Sequence, residues 1–110
     1  MNPIQDILDK LSAFTAERDW DQFHDGKNLA LALGIEAAEL NEAFLWKTAE
    51  EADPAKVREE LADVFLCAFM LANKYHLDVH EICLEKIARN AAKYPVDKAR
   101  GSTKKYTEFS

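Results

Sequence analysis

Apolar residues recur every three or four positions through four stretches of the chain, and no stretch alternates apolar and polar residues as a half-buried strand would. This spacing is typical of amphipathic α-helices. Asn2-Pro3 and Asp53-Pro54 each place a capping side chain before a first-turn proline, and Asp78 precedes Glu81 as in a capping box. The predicted helices run from Pro3 to about Arg18, from about Lys27 to Lys47, from Pro54 to about Tyr75, and from Asp78 to near Lys93.

These stretches predict an all-α fold, a four-helix bundle with an extended C-terminal tail over residues 94–110. A chain of 110 residues has room for one core, so we expect a single domain over residues 1–110. The tail keeps Tyr94, Tyr106 and Phe109 among its charges, enough apolar surface to dock on the body. The second and third helices are apolar over a wide arc, which indicates a homo-oligomer, a dimer or a tetramer.

Two carboxylate pairs lie inside the apolar stripes of the second and third predicted helices. Glu36 and Glu39 form one pair, and Glu60 and Asp63 form the other. Residues three positions apart share a helical face, and a single acid pair of this kind is common on a solvated face. Two pairs on the inner faces of adjacent helices would be costly to bury unless cations neutralised them. The sequence therefore predicts a divalent metal centre.

The ligand types favour a hard ion. All four are oxygen donors without a His or Cys beside them, so we expect Mg²⁺ first and Mn²⁺ second, with zinc and iron disfavoured. A ferritin-like di-iron bundle also gathers acids inside four helices, but it requires two Glu-x-x-His motifs. The sequence has none, because Asn73 and Leu77 stand three positions before His76 and His80.

The charge distribution argues for a small phosphorylated ligand. A net charge of −6 disfavours nucleic-acid polymers, which bind basic surfaces. Residues 1–85 hold 7 basic and 18 acidic side chains, whereas residues 86–110 hold 7 basic and 2 acidic ones. An acidic body and a basic C-terminal segment suit a phosphate compound that arrives with Mg²⁺. A merely solvated basic tail explains the charge equally well.

The chain shows no feature of a membrane or secreted protein. No apolar run reaches the length of a membrane span, and the first residues lack a secretion signal, so we expect a cytoplasmic protein. Cys67 and Cys83 lie among apolar neighbours without C-x-x-C spacing, which predicts reduced core residues.

Further residues near the acidic motifs are candidates for contacting a nucleotide, and each also has a structural interpretation. Tryptophans usually pack in a core, a loop histidine is commonly hydrogen-bonded, and a basic helical face is commonly solvated. The candidates are Trp20 and His24 in a loop, Trp46 at the end of the second helix, and Lys86, Asn90 and Lys93 on one face of the fourth.

The sequence resembles the MazG-like all-α nucleoside triphosphate pyrophosphohydrolases, and most of all their dCTP-pyrophosphatase branch. That family's pattern is E-x-x-E, a variable spacer and E-x-x-D, and here twenty residues separate the two motifs. The acidic pattern alone is weakly specific, whereas its combination with the other segments is strong. Those segments are Arg18-Asp19-Trp20, Phe44-Leu45-Trp46-Lys47 and Lys93-Tyr94-Pro95-Val96.

The resemblance implies Mg²⁺-dependent hydrolysis of dCTP or a related nucleotide to the monophosphate and pyrophosphate, as nucleotide-pool sanitation, in a dimer or tetramer. Some relatives carry a tyrosine where this chain has Cys67. This difference bears on how the sugar or the edge of the base is contacted, and therefore on the substrate preference. A helical adaptor without chemistry is the alternative. The site residues that the resemblance implies are Glu36, Glu39, Glu60 and Asp63 for the metal, with Glu39 and Glu36 also positioning water, Trp20 and Trp46 around the base with His24 nearby, and Lys86 and Asn90 for phosphate or sugar. Lys93, on the same helical face, is a further candidate for contacting phosphate.

Overall fold

The computed structural model describes residues 2–109, and within that range every regular element is a helix. The predicted all-α class is therefore confirmed. The outermost positions of the predicted domain, residues 1 and 110, lie outside the described range. The helices are α1 (Pro3–Glu17), α2 (Gly26–Glu42), α3 (Pro54–Lys74), α4 (Val79–Lys93) and α5 (Val96–Ala99), with single 3₁₀ turns at Asp21–Phe23 and Tyr106–Glu108.

The described chain divides into two compact units, the first ending at Leu77 and the second starting at Asp78. The first unit contains α1, α2 and α3. The second contains α4, α5 and the C-terminal 3₁₀ turn. The assignment of a single domain stays a prediction.

An Asn or Asp side chain caps the start of each long helix. Its oxygen accepts a backbone N–H of the first turn, which the helix itself leaves unpaired. The caps at Asn2, Asp53 and Asp78 confirm the prediction, and Asp25 adds a fourth cap ahead of α2. The donor–acceptor distances are 3.0 Å from Ile4 N to Asn2, 2.7 Å from Asn28 N to Asp25, 3.0 Å from Ala55 N to Asp53, and 2.9 Å from Glu81 N to Asp78.

Helix α2 ends at Glu42, five residues before the predicted end at Lys47. From there the backbone makes tighter i→i+3 bonds, such as Leu45 N to Glu42 O at 3.2 Å. Trp46 then takes a left-handed backbone conformation with φ of 64°, which no α-helix contains. The apolar spacing continues through these residues, so periodicity alone extends the helix too far.

The packing of α2 against α3 is the main helix–helix contact of the first unit, and α1 packs on α3. Near the start of α2, Leu29 shares a cavity with Met70 of α3. Further along α2, Glu36 meets Glu60 near the start of α3. The two helices therefore run antiparallel, and this arrangement places both acidic motifs at the same level.

The described residues bury few large side chains. Of the apolar residues, only small ones and one leucine are buried. Several large apolar side chains on α2 and α3 remain in contact with solvent. This surface is consistent with self-association, which stays a prediction. The buried apolar residues are Leu29, Ala43, Ala52, Cys67 and Ala72; the exposed ones on α2 and α3 are Leu31, Ile35, Leu61 and Phe65.

The two cysteines differ in burial. Cys67 is buried, as predicted, but Cys83 is exposed, so its assignment to the core is wrong. The apolar face of α4 suggested burial, yet none of the residues of α4 is buried. Among the helices of residues 2–109, none is long and apolar enough to cross a bilayer.

Candidate metal centre

Three carboxylates from α2 and α3 converge in the first unit. Glu36, Glu60 and Asp63 each present one oxygen, and these atoms all lie within 4.8 Å of one another. The three-residue spacing puts Glu60 and Asp63 on one face of α3, and helix packing brings Glu36 opposite them. Oxygens that share an ion at about 2.1–2.6 Å must lie within about 5 Å of one another. These three residues, the carboxylate cluster, could therefore bind a divalent cation.

Two oxygens of the cluster are buried without a hydrogen-bond partner among the described residues, Glu36 Oε2 and Glu60 Oε2. Glu60 is only 5% exposed. Buried polar atoms almost always have a partner, and an unsatisfied one is costly, more so when it carries charge. A hard cation between the two helices would satisfy both oxygens. The all-oxygen ligand set and its two unpartnered oxygens therefore fit a hard divalent ion such as Mg²⁺.

Glu39, the fourth predicted ligand, is electrostatically linked to the cluster. A hydrogen bond with Glu36 and the negative charge of Glu36, followed by burial and by Glu60, raise the pKa of Glu39 above its ordinary value of 4.5. Two ionised carboxylates have no donor to share, so this hydrogen bond forms only when one of them is protonated. Glu39 therefore accepts a proton more readily than an isolated glutamate does.

Lys56 is a cation beside the cluster that the sequence analysis does not single out. Its Nζ lies 2.7 Å from Glu60 Oε1. The hydrogen bond to Glu60 and the charge of Glu60 raise the pKa of Lys56 above its ordinary value of 10.5. The ammonium group is thus held in its charged form on the one Glu60 oxygen that has a partner.

Cys67 borders the cluster one helical turn after Asp63. Burial raises the pKa of this thiol, and the negative charges of Glu36 and Asp63 raise it further. The thiol therefore stays protonated and neutral at ordinary pH. A small, neutral, buried side chain stands at the position where the family resemblance points to a tyrosine in some relatives.

A cavity of about 300 Å³ lies two helical turns from the cluster, also within the first unit. Leu29 precedes Glu36 by seven positions and Met70 follows Asp63 by seven, so cavity and cluster share one face of each helix, about 10 Å apart along the axis. The walls mix apolar, hydroxyl and charged groups. They are formed by Leu8, Leu11, Ser12 and Thr15 of α1, Asp21 and His24 of the following loop, Leu29 of α2, and Met70, Asn73, Lys74 and His76 around the end of α3.

The three predicted base-contacting residues occupy different places. His24 lines the cavity, whereas neither tryptophan does. Trp20 packs edge-on against Phe14 with ring centroids 5.7 Å apart and remains 44% exposed. Trp46 is 93% exposed. A core role for Trp46 within the described residues is thereby excluded, while its contact with a base stays a prediction.

The predicted phosphate-contacting residues all lie on α4, in the second unit. Lys86, Asn90 and Lys93 are exposed. Lys93 Nζ lies 4.9 Å from the centroid of the Tyr106 ring, in a cation–π arrangement that holds it against the C-terminal segment. Tyr94 contacts the same ring edge-on at 5.9 Å. The role of these three residues towards phosphate stays a prediction.

Two groups of candidate residues are absent from the sequence-based set. Lys56 stands four positions before Glu60, and this i,i+4 spacing is a signal that sequence reasoning could have used. The α1 residues that line the cavity, among them Leu11, Ser12 and Thr15, carry no such signal. Their position depends on how α1 packs on α3.

Comparison with known proteins gives consistent matches in sequence and in structure. Residues 31–109 match the family profile described as the MazG-like family. The dCTP pyrophosphatase 1 of Mus musculus is 41% identical over 114 residues, which cover 96% of this chain and 67% of that protein. The dCTP pyrophosphatase 1 of Homo sapiens is 42% identical with the same coverage.

A solved structure shares the fold. The crystal structure of a pyrophosphatase from Archaeoglobus fulgidus superposes with a TM-score of 0.80 and 32% sequence identity. The match covers 86% of this chain and 94% of that one. Sequence and structural similarity thus extend over most of the described residues.

Proposed function

Because the chain belongs to the MazG-like family, we propose that it hydrolyses dCTP or a closely related deoxynucleoside triphosphate to the monophosphate and pyrophosphate, with Mg²⁺ as cofactor. Its similarity to dCTP pyrophosphatases and to a solved pyrophosphatase supports a nucleoside triphosphate pyrophosphohydrolase. The same similarity disfavours the alternative of a helical adaptor without chemistry. The observation that carries the metal requirement is the convergence of three carboxylates with two unpartnered buried oxygens.

The carboxylate cluster is the proposed metal-binding site. Glu36, Glu60 and Asp63 would hold the ion, and Glu39 would complete the set from the next turn of α2. When bound, Mg²⁺ neutralises charge on the triphosphate and on the leaving pyrophosphate. Mn²⁺ has the same preference for oxygen ligands and is the expected substitute.

Glu39 is the proposed base for the attacking water, with Glu36 as the residue that orients it. In the hydrolysis, a water oxygen bonds to the α-phosphorus and the bond from that phosphorus to the α,β-bridging oxygen breaks. The water proton needs an acceptor close to the phosphate, and a base works best when its pKa approaches the working pH. In the metal-free protein, the negative neighbours of Glu39 raise its pKa above the ordinary value.

The cavity beside the cluster is the proposed site of the nucleoside. It lies about 10 Å along α2 and α3 from the carboxylates, a separation similar to that between a base and its phosphates. Its volume of about 300 Å³ is at the lower end for small-ligand pockets and suits a single base better than a bulky ligand. Asp21, His24 and Asn73 offer hydrogen-bonding groups for the edge of a base.

The tryptophans and the α4 residues complete the proposal. Trp46 is 93% exposed, so its indole is free to stack on a base, and Trp20 offers a second aromatic face. Lys86, Asn90 and Lys93 are exposed donors suited to phosphate or sugar. The proposed biological role is removal of excess or unwanted deoxynucleotides in the cytoplasm.

The test is a product assay with matched variants. Purified protein incubated with dCTP and Mg²⁺ should release pyrophosphate, and excess EDTA should abolish the release. Asp63→Asn or Glu39→Gln should lower turnover by roughly 10²-fold or more, the scale of losing a key electrostatic group. Glu42→Gln removes the same charge from the exposed end of α2 and should leave turnover unchanged. Full activity in EDTA would contradict the metal requirement.

A further inference from the structure

Lys56 makes the single ion pair between a described basic side chain and the carboxylate cluster. Its Nζ lies 2.7 Å from Glu60 Oε1; the Glu60 side chain is 7% exposed and that of Lys56 is 51% exposed. The other ion pairs within residues 2–109 join Lys10 to Asp6 and Arg18 to Glu17. Glu60 therefore uses one oxygen for this lysine and leaves the other, Oε2, buried and unpartnered.

Local helix energetics do not explain this placement. Lys56 lies in the first turn of α3, where the helix dipole presents its positive end and disfavours a cation. A lysine four residues before a glutamate is also the weaker of the two orders for a helical ion pair. The attraction that holds Lys56 here must therefore come from the acidic groups themselves.

We propose that Lys56 is a tethered counter-cation, which stabilises the carboxylate cluster when no metal is bound and whose charge opposes the binding of an incoming divalent ion. The proposal rests on the metal-binding role proposed above for the cluster. The ammonium at 2.7 Å from Oε1 neutralises part of the negative charge with which Glu60 would attract a metal ion at its free oxygen, Oε2. Because Lys56 is half exposed on a flexible four-carbon stem, its head can move into solvent when the metal enters.

Such a lysine would weaken metal binding and protect the metal-free protein. Removing its charge should tighten binding of Mn²⁺ to the protein without nucleotide by roughly three- to tenfold, the scale of one partly solvated charge pair. The same change should lower the urea midpoint of the metal-free protein, because Glu60 then loses its partner. With saturating Mn²⁺ that difference should disappear.

The experiment measures free Mn²⁺ by electron paramagnetic resonance during titration of metal-free protein, without nucleotide. The variants are Lys56→Gln and Lys56→Met, which lack the charge, and Lys56→Arg, which keeps it. The matched control is Lys10→Gln, which removes a lysine from the other lysine–carboxylate i,i+4 pair, at 3.1 Å on α1 and away from the cluster. Urea titrations of the same proteins give the second readout, and KM for dCTP at saturating Mn²⁺ gives the third.

Tighter Mn²⁺ binding in both neutral variants, with wild-type affinity for Lys56→Arg and Lys10→Gln, is the expected result. Unchanged or weaker Mn²⁺ binding in the neutral variants would overturn the role of Lys56 and leave the proposed function standing. A wild-type protein that binds no Mn²⁺, or binds it equally well after Glu60→Gln, would overturn both proposals. An increase in KM for dCTP with unchanged Mn²⁺ binding would instead identify Lys56 as a contact to the nucleotide and overturn its role as counter-cation.

Discussion

Glu36 of α2 and Glu60 of α3 meet across the helix interface, and each leaves its Oε2 atom buried without a hydrogen-bond partner among residues 2–109. Sequence spacing puts each glutamate on the inner face of its helix, and helix packing brings the two faces together. An arrangement that costs stability in the free protein is a common property of functional sites. The predictions below follow from this cluster and from the groups around it.

The metal-free protein should gain stability from Glu39 as the pH falls. Its negative neighbours raise the pKa of Glu39 in the folded state above the ordinary value of 4.5. The folded state therefore binds this proton more readily than the unfolded chain does, so Glu39 destabilises the fold at neutral pH. That destabilisation disappears as the pH falls through the raised pKa towards 4.5. In metal-free urea titrations from pH 7 to 5, Glu39→Gln should remove this gain.

The control for the pH experiment is Glu42→Gln, which alters an acid at the end of α2. This variant should keep the wild-type gain in stability between pH 7 and pH 5. If Glu39→Gln and Glu42→Gln show the same pH dependence as the wild type, the electrostatic linkage of Glu39 to the cluster is wrong.

Trp46 should affect nucleotide binding and not stability. Its indole is 93% exposed, so Trp46→Ala should leave the urea midpoint nearly unchanged, whereas loss of a base stack should cost about 1–3 kcal/mol of dCTP binding. The loss should appear mainly in KM, because stacking contributes similarly to ground and transition states. The backbone at Trp46 has a φ of 64°, so Trp46→Gly should be more stable than Trp46→Ala by up to about 1 kcal/mol. Wild-type affinity in both variants would exclude Trp46 from the base site.

Filling the cavity should weaken substrate binding without disturbing the cluster. Ser12 lines the cavity, so the larger side chain of Ser12→Phe should occupy space that the nucleoside needs. KM for dCTP should rise by roughly tenfold or more, since even one methylene too many in a pocket costs about 1–3 kcal/mol of binding. Mn²⁺ binding should stay at the wild-type value, because the cluster lies two helical turns away. Ala13→Phe is the matched control, because Ala13 is the adjacent, exposed residue of α1 and is not part of the cavity lining. Equal KM values for the two variants would place the nucleoside elsewhere.

The exposed apolar surface of α2 and α3 should be covered by a second copy of the chain. Ile35 is 59% exposed and Phe65 is 53% exposed, and a large exposed apolar patch commonly marks a protein–protein interface. Light scattering at micromolar concentration should report at least twice the chain mass of 12.5 kDa. Ile35→Glu should shift the protein towards the monomer, whereas Ala30→Glu, at a small exposed residue, should not. A wild-type particle of 12.5 kDa would exclude the predicted oligomer.

Much of the fold is predictable from local sequence signals. Periodicity and the Asn or Asp caps place α1, α3 and α4 within about one residue of their observed ends. The same periodicity extends α2 too far, because the apolar spacing through Trp46 carries no sign of its left-handed backbone. The predicted burial of Cys83 is wrong for a related reason. An apolar helical face is buried only if another element covers it, and Cys83 is exposed.

The site is predictable where it depends on spacing within one helix. The three-residue spacing puts Glu60 and Asp63 on one face of α3 without any tertiary information. The cavity depends on the packing of α1 against α3, so residues such as Ser12 give no signal in the sequence. The exposure of Trp46 is likewise a tertiary property, and composition alone favours the opposite assignment.

The most direct test of the central claim is the position of the oxygen label after hydrolysis in water enriched in oxygen-18. Protein, dCTP and Mg²⁺ are incubated in this water, and phosphorus-31 NMR identifies the products and the phosphorus that carries the label. The account predicts labelled dCMP and unlabelled pyrophosphate, with no product in EDTA and roughly 10²-fold less with Asp63→Asn. Labelled pyrophosphate, release of inorganic phosphate with dCDP, or unchanged turnover without a metal ion would contradict it.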